Sequence, residues 1–447
     1  MKKVLTILTA LVMLLQLAAC SQLDSLRSVQ LPPLPEVTRH PAPQTLAGSV
    51  TETPNPDRET ASELPPADDA AEEMRIPLIV NFRRSATEEF DPAEGTTRIL
   101  RFADTVPHVS IPGREAAADA INEYIALLDE TYITGNDYGD GYADGYNGYL
   151  EQAIDNFTYA HETGAEVPLE FEAERSVSVE RADGRILSLY FNEYAYLGGA
   201  HGSYVGKAYV FDTKSGALLR LEQLTPDTEA FAALVTQSMA EQLQEDEDLR
   251  AEITSFIPED ELDTALARLL REGSWYLNEE GLVLFSQLYE LASYAAGIQS
   301  FTVPYEELGE LLYAQYCPGE KLSEGEPELL DMNQVVEGSF PMLDLVKAQE
   351  GGEQLCLRSA GRVYDLLLSR AGYSEESGLF YQGDPLWYCS CMEASGLQIE
   401  TVLPDVLPDL MLSYRGADGA QHKALLTRSG ENGALLLLED GVNFSEY

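Results

Sequence analysis

Between residues 76 and 315 apolar positions alternate in short runs or recur every three to four residues, and the two rhythms come in groups. Pro77 to Phe82 and Thr97 to Ala103 have strand character. A helix follows from about Arg114, with Ile121, Ile125 and Leu128 on one face. Strand signals then cluster at Leu169–Val179, Arg185–Asn192 and Tyr204–Phe211, and Asp212 to Gly216 supplies a turn before Leu218–Leu221 resumes the pattern. Thr225-Pro226 has the form of a cap followed by proline at the first helical position, ahead of the apolar stripe Phe231, Leu234, Val235 and Met239. A second helix is expected over Glu259–Arg271. A hairpin comes next, Trp275–Leu277 and Leu282–Phe285 about the turn Asn278–Gly281, then a strand at Gln299–Val303 and a short helix from Pro304 to Leu312. Grouped rather than strictly alternating elements predict an α+β fold, an antiparallel sheet with packed helices.

The rhythm changes at both ends of this region. Residues 316–337 are rich in Glu, Gly and Pro and read as a linker. From 338 to 447 short strands separated by Gly, Asp and Ser predict a small, mainly-β C-terminal domain. Within it Asp365-Leu-Leu-Leu-Ser369 and Asp409-Leu-Met-Leu-Ser413 resemble one another, either as a repeated β unit or by chance. Towards the other end, Pro32, Pro33, Pro35, Pro41, Pro43, Pro54, Pro56, Pro65 and Pro66 punctuate residues 20–75, which are acidic and poor in apolar side chains. Such a segment cannot bury enough surface to offset its ordering entropy and reads as an extended, disordered stalk.

Residues 1–19 read as a lipoprotein signal peptide: Lys2 and Lys3 precede the apolar run Val4–Leu17, and Leu17-Ala18-Ala19 leads directly to Cys20. The run is short for a bilayer span, which needs about 20 apolar residues. Cleavage before Cys20 and acylation of its sulfur would anchor the chain to the lipid bilayer on the extracytoplasmic side of a cell membrane. The remaining cysteines, Cys317, Cys356, Cys389 and Cys391, are even in number; in an exported protein they permit two disulfides or remain free thiols. Cys389-x-Cys391 is tightly spaced for zinc and has no nearby histidine, so no metal site is expected.

Charge narrows the partners. With 28 basic and 76 acidic residues the formal net charge is -48, which excludes nucleic acid as a natural partner. An acidic surface either steers a cationic protein towards it or serves solubility alone. Chemistry-bearing motifs are sparse. The histidines His40, His108, His161, His201 and His422 stand singly, with no spacing of the H-E-x-x-H type, and no nucleophile elbow, phosphate loop or dinucleotide fingerprint occurs. No cofactor and no catalytic residue are expected. Tyr138, Tyr142, Tyr146 and Tyr149 would stripe a helix face that glycines weaken, while Asp137, Asp140 and Asp144 do not fit a calcium loop. Those tyrosines read as packing or as a contact surface.

One stretch resembles a known family. Asn192-Glu-Tyr-Ala-Tyr-Leu-Gly-Gly-Ala-His-Gly-Ser-Tyr204, Tyr209–Gly216 and Leu218–Leu221, followed by Tyr276–Phe285, Leu288–Gly297 and Phe301–Tyr305, are similar in order and spacing to the extracytoplasmic domain shared by RsiV-type anti-sigma factors and PdaC-type peptidoglycan deacetylases. The resemblance implies an α+β domain without catalysis of its own and, in the RsiV type, lysozyme binding. Three departures stand out: no cytoplasmic sigma-binding segment, no deacetylase domain with metal-binding motifs, and Ser293 where the family usually carries proline. The glycine-rich connection Gly198-Gly199-Ala200-His201-Gly202 joins two strands, and loops on a rigid scaffold carry function. Tyr194, Tyr196, Gly198, Gly199, His201, Tyr204 and Tyr294 are therefore the candidate partner-binding residues, although Tyr194, Tyr196 and Tyr204 also suit sheet packing. His201 beside Ser203 does not make a nucleophile and base, because the motif fixes no acidic orienter. The expected function is a non-catalytic, membrane-anchored binding module for lysozyme or another cationic envelope-active protein; the alternative is a structural or accessory envelope lipoprotein that senses no ligand.

Overall fold

Strand β1 (Ile79–Phe90) pairs antiparallel with β2 (Arg98–Ser110) along nearly its whole length, so the first two apolar runs form one long hairpin. The computed structural model describes residues 73–445 except 91–94, 96, 136–144, 165–170, 199, 405–406 and 440. The signal segment, Cys20 and the proline-rich stalk lie outside the described residues, as do Tyr138, Tyr142, Asp137, Asp140 and Asp144. Helix α1 (Glu115–Thr134) follows and buries Ala117 and Ala118 together with Ile121 and Ile125 of the expected stripe, whose third member, Leu128, is partly buried. Helix α2 (Gly145–Thr163) is the glycine-weakened segment continued: Tyr149 is buried, and the Tyr146 ring packs edge-on against Phe102, centroids 4.8 Å apart.

Strands β3 (Phe171–Ala182), β4 (Ile186–Tyr196) and β5 (Ser203–Asp212) form an antiparallel meander. β3 runs parallel to β2, but only over Leu100–Asp104 against Phe171–Arg175. Beyond that the Asn122 side chain of α1 takes over the β2 edge: its Oδ1 accepts from Val109 N and its Nδ2 donates to Val109 O, both at 2.8 Å. The amide stands in for a missing strand.

Helix α3 (Thr228–Glu245) buries Phe231, Val235 and Met239 as expected, but its start is displaced. Asp227 is the N-cap and accepts from Ala230 N at 3.0 Å, while Thr225 Oγ1 accepts from Asp227 N at 3.1 Å. Thr225-Pro226 thus shapes the turn before the cap. Helix α4 (Glu247–Phe256) was not foreseen, because Ile253 is its only buried residue and the segment is mostly charged and polar. The expected helix over 259–271 is two 3₁₀ turns flanking α5 (Leu262–Ala267). These helices pack on a small sheet of β6 (Trp275–Leu277), β7 (Gly281–Phe285) and β8 (Ser300–Pro304), paired in that order.

Residues 316–337 contain a strand, β9 (Pro327–Asp331), and β10 (Met342–Lys347) follows. The expected short strands after 338 are replaced by two long ones, β11 (Glu353–Ser374, 22 residues) and β12 (Leu379–Thr401, 23 residues). Their glycines resemble turn signals in sequence, yet they sit mid-strand. A Cβ on Gly372 would lie 2.1 Å from the Tyr381 ring across the hairpin, so glycine there permits close approach rather than a turn. β13 (Leu410–Arg415), β14 (Gln421–Arg428) and β15 (Leu435–Leu438) complete the chain. Leu367–Ser369 pairs antiparallel with Met411–Ser413, so the two similar Asp-Leu-x-Leu-Ser segments are hydrogen-bonded neighbours in opposite directions, not a translated repeat.

The sheet does not stop at the linker. β12 pairs with β1 through Ile79↔Cys389, Val80↔Tyr388 and Asn81↔Trp387, giving the order β15-β14-β13-β11-β12-β1-β2-β3-β4-β5. The fold is α+β, a largely antiparallel sheet with packed helices and a mainly-β C-terminal part whose strands continue the same sheet.

Cys317, Cys356, Cys389 and Cys391 are free thiols, the second of the two alternatives that the sequence left open. Register explains it. Cys391 faces Tyr364, eight residues along β11 from Cys356 and so roughly 25 Å away at about 3.3 Å per residue. Cys389 lies opposite Leu366 in the cluster that also holds Val363 and Met392, whereas Cys391, next to Met392, lies opposite Tyr364, so the two side chains leave β12 on different faces. Burial pushes the Cys356 thiol up to about 11 and Cys391 to about 12, and raises Cys389 as well. Alkylation of native protein without reductant should therefore leave these three unmodified, and urea alone should expose all four; a requirement for reductant would show disulfides instead.

Candidate functional site

The predicted loop residues converge with a second loop that sequence reasoning only partly identified. Tyr194 of β4 lies directly opposite Tyr204 of β5, ring centroids 4.7 Å apart, and Tyr196 follows on the same face of β4. Between the strands, Gly198 takes a left-handed φ of 100°. Gly199 lies outside the described residues. A Cβ on Gly202 would lie 2.3 Å from the Tyr194 ring, so this glycine is what lets the ring lie flat on the loop.

The second loop runs from β7 to β8. Leu291 and Ala292 are buried and anchor it. Gln287 fixes it to the sheet edge: its Oε1 accepts from Gly206 N at 3.0 Å and its Nε2 donates to Gly206 O at 2.8 Å, so a side-chain amide again completes a strand edge. Ser293 Oγ donates to Glu252 Oε1 at 2.6 Å. The backbone of Ser293, φ -65°, is already the one proline imposes, so the departure at this position keeps the loop's path.

His201 joins the two loops. Its ring stacks on Tyr294 with centroids 3.7 Å apart and 21° between planes. Its Nδ1 lies 2.9 Å from Gly202 O, which can only accept, so Nδ1 carries the proton and Nε2 accepts from the Tyr289 hydroxyl at 3.1 Å. Both ring nitrogens are thereby engaged, and Ser203 is not among their partners. Tyr289 is the residue the sequence reading missed. It is 47% exposed and held at φ 62°, a conformation uncommon for a non-glycine residue. Nothing in its local pattern distinguishes it; its bond to His201 and the Tyr294 ring, 5.9 Å away, show its place.

The result is a shelf of rings, Tyr194, Tyr204, His201, Tyr289 and Tyr294, with Tyr204 39% exposed. Carboxylates border it. Glu252 holds Ser293, and Glu290 receives Arg271 and Gln287 N. Burial and then the Glu172 charge raise the Tyr194 phenol above its ordinary range. Exposed tyrosine faces beside carboxylates suit a cationic, partly apolar surface, since each ring–cation contact contributes about 0.5–1 kcal/mol where exposed.

Residues 96–204 match the family model described as Deacetylase PdaC, and residues 223–306 match that described as Protein of unknown function (DUF3298). Tyr194, His201 and Tyr204 fall in the first segment and Tyr289 and Tyr294 in the second, so the shelf is assembled from both. Over 139 residues the chain is 25% identical to peptidoglycan-N-acetylmuramic acid deacetylase PdaC of Bacillus subtilis (strain 168), a match covering 29% of this chain and 27% of that protein. A DUF3298 family protein from Pseudomonas aeruginosa PAO1 aligns with 54% of this chain and 98% of its own (19% identity, TM-score 0.37). A DUF3298 family member from Bacteroides fragilis aligns with 53% of this chain and 94% of its own (16% identity, TM-score 0.39). The chain thus carries two adjoining segments similar to envelope-type domain families, PdaC followed by DUF3298.

Proposed function

We propose that this chain is an exported lipoprotein, held at a membrane surface through acylated Cys20, whose 76–315 portion binds a cationic envelope-active protein of the lysozyme kind. The observation that supports this reading is the shelf of Tyr204, at a strand end, with His201, Tyr289 and Tyr294 on the two adjoining loops, bordered by carboxylates in a chain of net charge -48. Recognition rather than chemistry suits His201, whose ring nitrogens are occupied by Tyr289 and Gly202. The Bacillus relative is named a deacetylase, but the matched stretch is only 27% of that protein.

The test is direct titration of hen egg-white lysozyme into the purified chain at low and physiological salt. Micromolar or tighter binding should survive physiological salt, because stacked rings are not screened, while the association rate falls as salt screens the acidic surface. Alanine at both Tyr204 and Tyr289 should weaken binding by at least about 2 kcal/mol, roughly thirtyfold. Attachment that salt abolishes, or that the double substitution leaves unchanged, would remove lysozyme as the partner. Release of acetate from peptidoglycan by the purified chain would replace binding with catalysis.

A further inference from the structure

Away from the ring shelf, a cavity of about 410 Å³ lies between β3 and the C-terminal strands, a volume in the small-molecule range. Five consecutive residues of β3, Val177 to Arg181, line it. Side chains of a strand alternate between its two faces, so an unbroken run of lining residues means that the edge of β3, rather than one face, borders the space. That edge is free because β2 leaves it. The parallel pairing of β2 with β3 ends at Asp104↔Arg175, and no other strand pairs with β3 on that side.

Register decides which main-chain groups the edge presents. Gly206 N and O both meet the Gln287 amide, so they point away from β4, and Asn192 opposite them points its own groups at β3. Asn192 faces Ser176, and Val179 stands three residues further along β3 with no slip between. Main-chain groups alternate from one side of a strand to the other, so Val179 N–H and C=O point away from β4, towards the open edge. Val179 is partly buried and Ser178 beside it is exposed, so this part of the edge is within reach of a ligand.

The side chains around this edge fall into two groups. Phe82, Leu367 and Tyr388 belong to the same apolar cluster as Val177 and Val179 and form an apolar floor. The charged residues are mostly committed to one another. Asp365 accepts from Lys321 Nζ at 2.7 Å, the Tyr388 hydroxyl at 2.8 Å and Arg415 Nε at 3.0 Å, and Glu279 accepts from Lys321 Nζ at 2.7 Å. Arg181 is fully buried on Asp183, Tyr305 and Tyr316, out of a ligand's reach. Glu180 is the exception. The pairing jumps from Val179↔Leu189 to Arg181↔Ser188, which leaves Glu180 as the extra residue of a β-bulge that re-aims its side chain. Among the described residues its carboxylate receives the Ser178 hydroxyl and no cation.

We propose that the β3 edge takes an extended peptide segment as an added antiparallel strand, with an apolar residue opposite Val179 and a lysine or arginine next to it. The residue opposite Val179 donates its N–H to Val179 O and accepts from Val179 N, the exchange of a hydrogen-bonded antiparallel pair. Its side chain lies on the Val179 face, over Phe82, Leu367 and Tyr388. The adjoining side chain lies on the other face, beside Ser178 and Glu180, where a cation supplies the missing counter-charge. The main-chain edge thus sets the ligand class, and Glu180 sets the charge at one position of it. The ring shelf takes no part.

Calorimetric titration of the purified full chain with acetyl-alanyl-leucyl-lysine amide tests this, since its capped ends leave only main chain and side chains to be read. The peptide should bind with a Kd between about 10 μM and 1 mM. Methylating the leucine nitrogen removes the hydrogen that Val179 O accepts and should weaken binding at least about tenfold, as should glutamate in place of the lysine. Glu180→Gln, at a partly buried position, should retain the wild-type circular dichroism and melting temperature but lose most of the preference for lysine over glutamate. No heat up to about 5 mM peptide, equal binding of the N-methyl peptide, or an unchanged lysine preference in Glu180→Gln would each overturn the assignment.

Discussion

Asp183→Ala should lower the free energy of unfolding by about 3–5 kcal/mol, read from urea titration. Asp183 is 1% exposed at the β3–β4 turn and has two roles. Its Oδ2 pairs with Arg181 Nε at 2.7 Å, and its Oδ1 accepts from Arg185 N at 2.7 Å and Ile186 N at 2.9 Å. Alanine would strand the buried guanidinium and uncap the turn together. Asp183→Asn keeps an acceptor for the turn and should lose less, which separates the charge from the cap. The pH dependence has a definite sign. Burial alone would raise the Asp183 pKa, but the Arg181 and Lys321 charges and the two backbone N–H groups outweigh it and hold the carboxyl below 3.8. A depressed folded pKa means its stabilisation is full above about pH 4 and is lost as pH falls through the folded value. The difference between wild type and Asp183→Ala should therefore shrink in acid and stay level above pH 5; a difference that grows in acid would contradict the ion pair.

Trp387→Ala should cost a similar amount, about 3–5 kcal/mol, while Trp387→Phe should cost less than about 1.5 kcal/mol. Trp387 is fully buried in β12, opposite Asn81 of β1 on one side and Leu368 of β11 on the other. Its Nε1 is buried without a partner among the described residues. Phenylalanine removes that unmet donor while keeping most of the apolar area, so the two substitutions separate packing from polarity. Because β12 and β1 share a ladder, Trp387→Ala should lower the midpoint of a single unfolding transition seen alike by far-ultraviolet dichroism and tyrosine fluorescence. Two separated transitions would mean that the C-terminal strands melt apart from the rest.

The match between sequence and structure was uneven for reasons that particular elements make plain. Helices α1 and α3 and the β6–β7 hairpin were legible because each buries one apolar face, which imposes a strict period on Ile121, Ile125, Phe231, Val235 and Met239. Helix α4 was not, since Ile253 is its one buried residue and Leu249 its main partly buried one. Four of the five rings of the shelf, Tyr194, His201, Tyr204 and Tyr294, were already candidates from the sequence. Tyr289 was not, because its contacts come from a residue 88 positions away.

What this sequence determined by itself is local: the α+β class, the two main helices and the acidic surface. These follow from propensity, period and charge, which are properties of neighbours in the chain. Only the tertiary structure decided that the C-terminal strands continue the first sheet through Asn81↔Trp387, that the four cysteines stand apart, and that Tyr289 meets His201. It also decided that Glu180 and Arg181 line one cavity with Asp365. Those are matters of strand register, and register is set by partners distant in sequence, whose pairing no local pattern encodes.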